Sequence, residues 1–397
     1  MKQIQTLIVA GLGFALAASA MGEDASPIHV SNRLRLGYDD NVYQSDGKEG
    51  RPDKQDSFRI IEEVEVLLNL NLERTYLGLR YRPTFMWYSD REDEDTEFLN
   101  DLDLNFVHNF TPSLTLSLSD TLRYSQLPEL VDENFVVRQN DDNFVNNLVG
   151  TLSYKLRPET RVDMSGRHVM LRYDDDVNED NNYYSVVGGL TLHQQLASLT
   201  SLMADVRYKT VTYDEASADS NRDATSLFGG LGLEQTFSPQ LLGSLRAGVE
   251  SRSYDDDAFD DNTQPYGELS LTFMPSPATR ITGAASYSIY ESDVARYMSQ
   301  NRTYFSLSLA HDFTAKLSFY LSGAYSLSQY EADYALDGGL EDADEKSLLV
   351  SARAAYRVNR INWIEAGWQF VKLDSDVANR VSYDRNRFDV GWKIQLF

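Results

Sequence analysis

Apolar and polar residues along this chain alternate with a period of two, and hardly anywhere with the 3.6-residue period of a helix. From Leu114 to Tyr124, Leu114, Leu116, Leu118 and Leu122 share one face, while Thr115, Ser117, Ser119, Thr121 and Arg123 share the other. In a strand these faces point in opposite directions. The dyad recurs from Tyr304 to His311, where Phe305, Leu307 and Leu309 oppose Ser306 and Ser308, and again from Leu317 to Leu327. The pattern predicts about eighteen strands, starting near residues 28, 58, 75, 96, 113, 143, 160, 182, 199, 223, 240, 264, 279, 302, 316, 346, 361 and 384.

The connections alternate in length. Short turns are expected at residues 71–74, 109–113, 157–160, 196–199, 238–240, 275–278, 313–315 and 358–360, with Pro112, Pro158, Pro239, Pro275 and Pro277 in them. The other connections are longer, polar and acidic, residues 39–57 and 126–142 being the longest. Short turns on one side and long loops on the other predict an all-β transmembrane antiparallel up-and-down β-barrel, with short turns periplasmic and long loops outside. An even strand number would place the N- and C-termini in the periplasm. Closure is required, because an open sheet edge in lipid leaves backbone N–H and C=O groups unpaired. Pro83 in the third strand and Asp120 on the apolar face of the fifth break the pattern, and a β-bulge or a register other than the one assigned is expected there.

Both ends of the chain agree with that fold. Lys2, the apolar run Leu7 to Leu16 and Ala18-Ser19-Ala20 read as a secretory signal peptide over 1–22, leaving a single outer-membrane barrel domain over 23–397. Beyond the leader no run reaches the ~18 apolar residues of a membrane helix. The last strand resembles the signal read by the barrel-assembly machinery: Asp389, Gly391, Ile394 and Leu396 match it, with Phe397 one place past the usual frame.

Composition refines the wall and the lumen. The chain holds 24 Tyr, 18 Phe and 4 Trp. Strands running toward the long loops end in an aromatic followed by an acidic or polar cluster, so Tyr38, Trp87, Tyr88, Tyr124, Tyr173, Tyr213, Tyr254, Tyr290 and Tyr330 are expected to form an outer aromatic girdle in the lipid headgroups. Charged residues opposite the apolar face are expected to line a water-filled lumen: Arg33, Arg35, Glu63, Glu65, Arg80, Arg82, Arg123, Asp163, Arg167, Asp205, Arg207, Lys209, Arg246, Glu250, Arg252, Arg353 and Glu365. In a dry core they would be too costly without full pairing. They read either as a transverse field that selects polar solutes or as a salt-bridge ladder that stiffens the wall.

Net charge is -25, carried largely by acid clusters in the long loops such as Asp90 to Asp95, Asp174 to Asp176, Asp255 to Asp257 and Glu341 to Glu345. That sign disfavours nucleic acid. The clusters read as solvated loops; the sharper alternative is Ca²⁺ or Mg²⁺ among the carboxylates, bridging to lipopolysaccharide phosphates, although no EF-hand spacing is present. No other cofactor is expected. The chain has no cysteine, which excludes disulfides, thiolate metal sites and thiol nucleophiles. Of five histidines, His29, His108, His193 and His311 fall near the short turns and His168 in mid-strand, so no base is expected in an outer loop and no enzyme is predicted.

Gly37-Tyr38-Asp39-Asp40-Asn41-Val42-Tyr43 resembles the opening motif of the Putative beta-barrel porin 2 family, and the later Tyr-Asp hairpin rhythm is similar over nearly the whole mature chain. The resemblance implies an outer-membrane barrel of about eighteen strands, often associated with exopolysaccharide synthesis and export, and carries no catalytic residues. From the residues alone, Asp39, Asp40 and Asn41 read as a loop capped by its own side chains. Two functional classes follow. One is a porin-like channel for small polar solutes or an exported polysaccharide, with export components as partners. The other is a structural or surface-binding barrel with a plugged lumen and cation-binding acidic loops, which a large inward-folded loop would favour.

Overall fold

A computed structural model describes residues 26–396, apart from 49–52, 92–94, 126–129, 132–135, 138–141, 215–220, 257–258, 295–296, 333–339 and 379. The leader and Phe397 lie outside the described residues. Eighteen antiparallel strands form one closed sheet. They are β1 (Ile28–Asp39), β2 (Ser57–Asn71), β3 (Thr75–Tyr88), β4 (Thr96–Thr111), β5 (Leu114–Ser125), β6 (Asn143–Arg157), β7 (Thr160–Tyr173), β8 (Tyr183–Ala197) and β9 (Thr200–Tyr213). There follow β10 (Ala224–Ser238), β11 (Leu241–Tyr254), β12 (Asn262–Ser276), β13 (Thr279–Glu291), β14 (Tyr297–Thr314), β15 (Leu317–Ala332), β16 (Ala343–Arg357), β17 (Asn362–Ser375) and β18 (Tyr383–Gln395). A 3-10 turn, Asp176–Asn181, lies between β7 and β8, and no described helix is long and apolar enough to cross a membrane.

Each strand pairs with its sequence neighbours, and β1 closes the ring on β18 from Ser31↔Gln395 to Asp39↔Arg387. The motif at the end of β1 staples this closing seam. Asp39 pairs with Arg385 of β18 at 2.6 Å, and both side chains are buried. Asp40 accepts bonds from the backbone and side chain of Asn386, at 2.6 and 2.8 Å. Asn41 adds the expected local cap, its amide N–H on Asp39 and its side-chain oxygen accepting from the Ser45 N–H.

Strands of 12 to 18 residues exceed the ~9–11 needed to span a bilayer. Both termini lie at the end that carries the short turns, called here the turn end; the opposite end is the loop end. Register shifts recur just before the short turns, at Asn109/Thr111, Lys155/Arg157, Gln195/Ala197, Thr236/Ser238, Phe273/Ser276 and Asp312/Thr314. The expected bulges at Pro83 and Asp120 do not occur. Register continues unshifted from Glu63↔Thr84 to Val66↔Tyr81 past Pro83. Asp120 keeps its place opposite Leu104 and Leu148, its outward carboxylate accepting a 2.7 Å bond from Asn146. A neighbouring amide, rather than a change of register, satisfies the misplaced acid.

The outer surface is apolar around the ring, with Leu36, Phe58, Val206, Leu231, Leu307 and Val390 among its exposed side chains. At roughly 25 cal/mol per Å² such a face belongs in lipid rather than water.

Candidate functional site

All seventeen sequence-selected charges lie on the inward face, where most of them form two networks and Lys209, Glu250 and Arg252 a separate group at the loop end. On β16 to β5, across the closing seam, Arg33 meets Glu63, Glu65 at 3.4 Å and Glu365 at 3.5 Å. Arg35 holds Glu63 at 2.8 Å and Asp389 at 3.7 Å, and Lys393 reaches Glu65 at 3.6 Å. Arg80 pairs with Asp103 and Arg82 with Asp101. On β7 to β12, Arg207 joins Asp205 at 3.1 Å to Glu268 at 2.9 Å, while Arg246 bridges the same two acids at 3.3 Å each. Lower on that wall Asp163 contacts Arg161 and His193, each at 3.0 Å. Arg167 donates to Asn147 at 3.1 Å.

The acids Asp101, Asp103, Glu268 and Asp389 were missed as lumen residues in the sequence. Their signal was available: each stands directly opposite, or diagonal to, an inward arginine once register is known. Arg123 and Arg353 differ from the rest. Their side chains are 32% and 41% exposed, and their carboxylate contacts are 3.8 Å or longer.

Glycines let the long side chains lie along the wall instead of across the lumen. Arg35 lies over Gly391, Arg59 over Gly37, Arg207 over Gly189 and the Asp389 carboxylate over Gly367; a Cβ at any of these glycines would press on the side chain. Tyr266 of β12 lies flat over Gly248 and Gly230 to reach Asp205 of β9. The Arg207 guanidinium stacks 4.7 Å from its ring and 4.9 Å from Phe228. Gly391 thus has a packing role in addition to any place in an insertion signal. Of the other residues of that motif, Ile394 and Leu396 continue the outward apolar row of β18, and Asp389 faces inward.

The interior is not polar throughout. In the loop-end half the inward positions form apolar clusters: Val145, Val169, Leu171, Tyr173, Tyr183, Val211 and Tyr213 on β6 to β9; Ile61, Met86 and Tyr88 with Val42; Val371, Leu373 and Tyr383; and Tyr297, Tyr330, Ala332 and Ala343 with Val377. Val42 and Val377 belong to connections, so two of the loops fold inward. Lys209, Glu250 and Arg252, expected on the lumen surface, are buried in this half. Lys209 and Arg252 hold Glu291 at 2.6 and 3.2 Å, and Glu250 accepts from the Ser288 hydroxyl at 2.7 Å.

Six of the nine expected girdle residues are corrected by the same observation. Tyr88, Tyr173, Tyr213 and Tyr330 are inward and only 1%, 5%, 5% and 1% exposed. Tyr254 shares the inward parity of Arg252, and Tyr290 lies under the Arg302 guanidinium at 4.0 Å. Tyr38, Trp87 and Tyr124 face outward. The last strand residue is not always the lipid-facing one, and alternation decides: Tyr213 is four residues from inward Lys209, whereas Tyr124 directly follows inward Arg123.

A second aromatic row, unforeseen in the sequence, rings the turn end. Phe110, Tyr154, Phe237, Phe273, Phe313 and Tyr356 project outward just before short turns. Beside them His108 and His311 each bond a strand-initial threonine, Thr75 and Thr279, at 2.8 Å and meet Phe110 and Phe313 edge-on. Neither ring has a carboxylate partner among the described residues, so neither forms a base–acid pair there. Of the acidic loops expected to bind Ca²⁺ or Mg²⁺, residues 92–94 and 257 lie outside the described part, and no three Asp, Glu or His side chains among the described residues group to hold an ion.

No curated protein sequence matches the chain. Among solved structures it is similar to OccAB3 of Acinetobacter baumannii, at 13% identity over 93% of this chain and 99% of that one, with a TM-score of 0.45. It is also similar to Pseudomonas aeruginosa OccK2 (OpdF), solved in complex with glucuronate, at 10% identity over 93% and 98%, with a TM-score of 0.44. A third is P. aeruginosa OccK3 (OpdO), at 13% identity over 93% and 96%, with a TM-score of 0.45. The sequence profile of Putative beta-barrel porin 2 matches residues 178–396, more than half of the chain. The eighteen-stranded, charge-lined barrel therefore belongs to that family, as a porin-like channel of the outer membrane and not an enzyme.

Proposed function

We propose that this barrel passes small polar solutes through a lumen whose turn-end half is a charged, hydrated vestibule and whose loop-end half is a constriction. The observation that carries this reading is the unequal filling of the interior. Partly exposed Arg353, near the turn end of β16, faces the vestibule, while Leu171, Tyr213 and Arg252 at the loop end are buried; Arg123, opposite Val145 near the loop end of β5, is also partly exposed. Water and solutes can be ordered by the paired charges of the vestibule. A polysaccharide chain fits the packed half poorly, so small solutes are the preferred cargo and export components are not required partners. The packed half also supports the second reading, a barrel plugged by its loops.

In this proposal the leader over 1–22 is removed, both termini are periplasmic, and the acidic long loops face outward beside lipopolysaccharide. The assembly machinery would read the last strand through Asp389, Gly391, Ile394, Leu396 and Phe397. Planar-bilayer recording of refolded protein tests the channel. Discrete ion steps are expected; a silent membrane with correctly folded barrel would select the plugged reading. Adding acidic polysaccharide should block the steps little, and strong block would restore the polymer as cargo.

A further inference from the structure

The wall is split between two neighbouring strands. The β12–β13 ladder runs from Ser276↔Thr279 only to Gly267↔Tyr287. On either side the ladders continue toward the loop end, β11–β12 to Arg252↔Asn262 and β13–β14 to Glu291↔Ser299. Both separated segments remain extended strand. The upper part of β13 has turned into the barrel. The Ile289 N–H, which an unbroken ladder would aim at β12 or β14, lies 3.3 Å from the Glu250 carboxylate of β11. Ser288 bonds the same carboxylate, and Glu291 holds Lys209 of β9 and Arg252 of β11.

The tip of this hairpin is clamped from two other loops. Asp293 pairs with Arg380 at 2.8 Å, and the Val294 carbonyl lies 3.5 Å from Arg222. Residues 297–300 of β14, which form the returning arm, are all buried. The hairpin therefore occupies the loop-end lumen at the expense of the wall, leaving Asn262 to Tyr266 of β12 as an edge. An edge in a barrel is unfavourable because its backbone groups lack partners. Pro265, which has no N–H, sits on that edge, the position proline tolerates in a sheet.

We propose that the β13–β14 hairpin is a gate that opens by zipping β13 onto β12. The existing register continues as Tyr266↔Ser288, Pro265↔Ile289, Gln264↔Tyr290 and Thr263↔Glu291, with no change in strand conformation. In this register Tyr266 and Ser288 face inward and Ile289 and Pro265 face lipid, while Glu291, on the parity of Ile289, moves from the lumen to the outer rim beside Thr263. Zipping exchanges the tethers at Glu250, Lys209, Arg252, Arg222 and Arg380 for ladder bonds and withdraws the hairpin from the lumen. The missing Pro265 N–H keeps the zipped state weak enough to reverse.

The inference rests on the channel reading, and its test separates the two. The chain has no cysteine, so engineered pairs report without background. Gln264→Cys with Tyr290→Cys can cross-link only when zipped, and Glu250→Cys with Ser288→Cys only when the hairpin is inward. Both cross-links should form, read by gel mobility on folded barrel. Unit conductance should be about twofold or more larger in the zipped lock than in the inward lock, because the narrowest point limits conduction. A third variant, Pro265→Val, restores the N–H and should lengthen open dwell times without any cross-link. Failure of the 264–290 pair to form in folded protein overturns the gate, whatever the conductance. Formation with no rise in conductance above the inward lock overturns it too, while silence of the uncross-linked protein strikes the channel reading itself.

Discussion

The hydroxyl of Tyr266 on β12 lies 3.3 Å from both carboxylate oxygens of Asp205 on β9, two intervening strands away. It spans that distance because Gly248 and Gly230 leave bare backbone beneath the ring: a Cβ added at Gly248 would lie 2.6 Å from the ring and 2.2 Å from the Gly229 carbonyl oxygen. Gly248→Val should therefore lift the ring into the lumen and lower stability by about 1–3 kcal/mol, the usual range for overpacking. Gly188→Ala, where nothing lies within 4 Å of the new carbon, should be neutral or mildly stabilising, since glycine weakens a strand. Urea unfolding in lipid vesicles reads both; an equal loss at Gly188 would contradict the slot.

The two faces of the wall predict opposite tolerance for charge. Leu231, 71% exposed near the middle of β10, meets lipid, and Leu231→Arg should cost about 2–4 kcal/mol. Ser117 of β5 faces inward in the turn-end half, opposite Val107 and Thr151. Ser117→Arg should change stability by less than about 1 kcal/mol. The same unfolding measurement decides, and a heavier penalty at Ser117 would mean that this part of the interior is dry.

The two partly exposed lumen arginines separate selectivity from stability. Arg123→Gln together with Arg353→Gln removes two half-exposed charges with long contacts, so stability should move by no more than about 1 kcal/mol. The reversal potential in a salt gradient should shift toward cations. Arg33→Gln removes the one cation that Glu63, Glu65 and Glu365 share and should destabilise by ~3–5 kcal/mol, the range for breaking a buried pair. An unchanged reversal potential in the double variant would place the conduction path elsewhere.

Aromatic placement can be read optically. Tryptophan at position 38 should be quenched by brominated lipid, because Tyr38 faces outward beside Phe58 at 5.6 Å. Tryptophan at position 213 should resist it, because Tyr213 is packed inside against Tyr183. Difference spectra against the parent chain isolate each probe from the four native tryptophans. Equal quenching at the two sites would restore Tyr213 to the lipid girdle.

Much of the candidate site was legible before any coordinates. Period-two alternation located every barrel strand, most starts within a residue or two, because a strand between lipid and water cannot afford the wrong residue on either face. Residue 302 as the start of β14 was the largest miss, by five residues. It falls on the hairpin that leaves the wall, where Tyr297 to Gln300 and Arg302 are packed inside and polar and apolar residues no longer alternate by exposure. The girdle failed for a related reason: position at a strand end was used where parity with inward Lys209, Arg252 or Arg167 was the physical guide.

The sequence by itself determined the barrel, its strand number, the short-turn and long-loop ends, and the inward side of the charged residues. These are local consequences of a two-residue repeat that meets lipid on one face. Only the tertiary structure decided which acid meets which arginine, that glycines let side chains lie along the wall, and that the loop-end half is packed. It alone revealed that β13 parts from β12 at Tyr287. Those features depend on register and on contacts between residues up to several hundred positions apart, such as Asp39 with Arg385, and no local pattern encodes them.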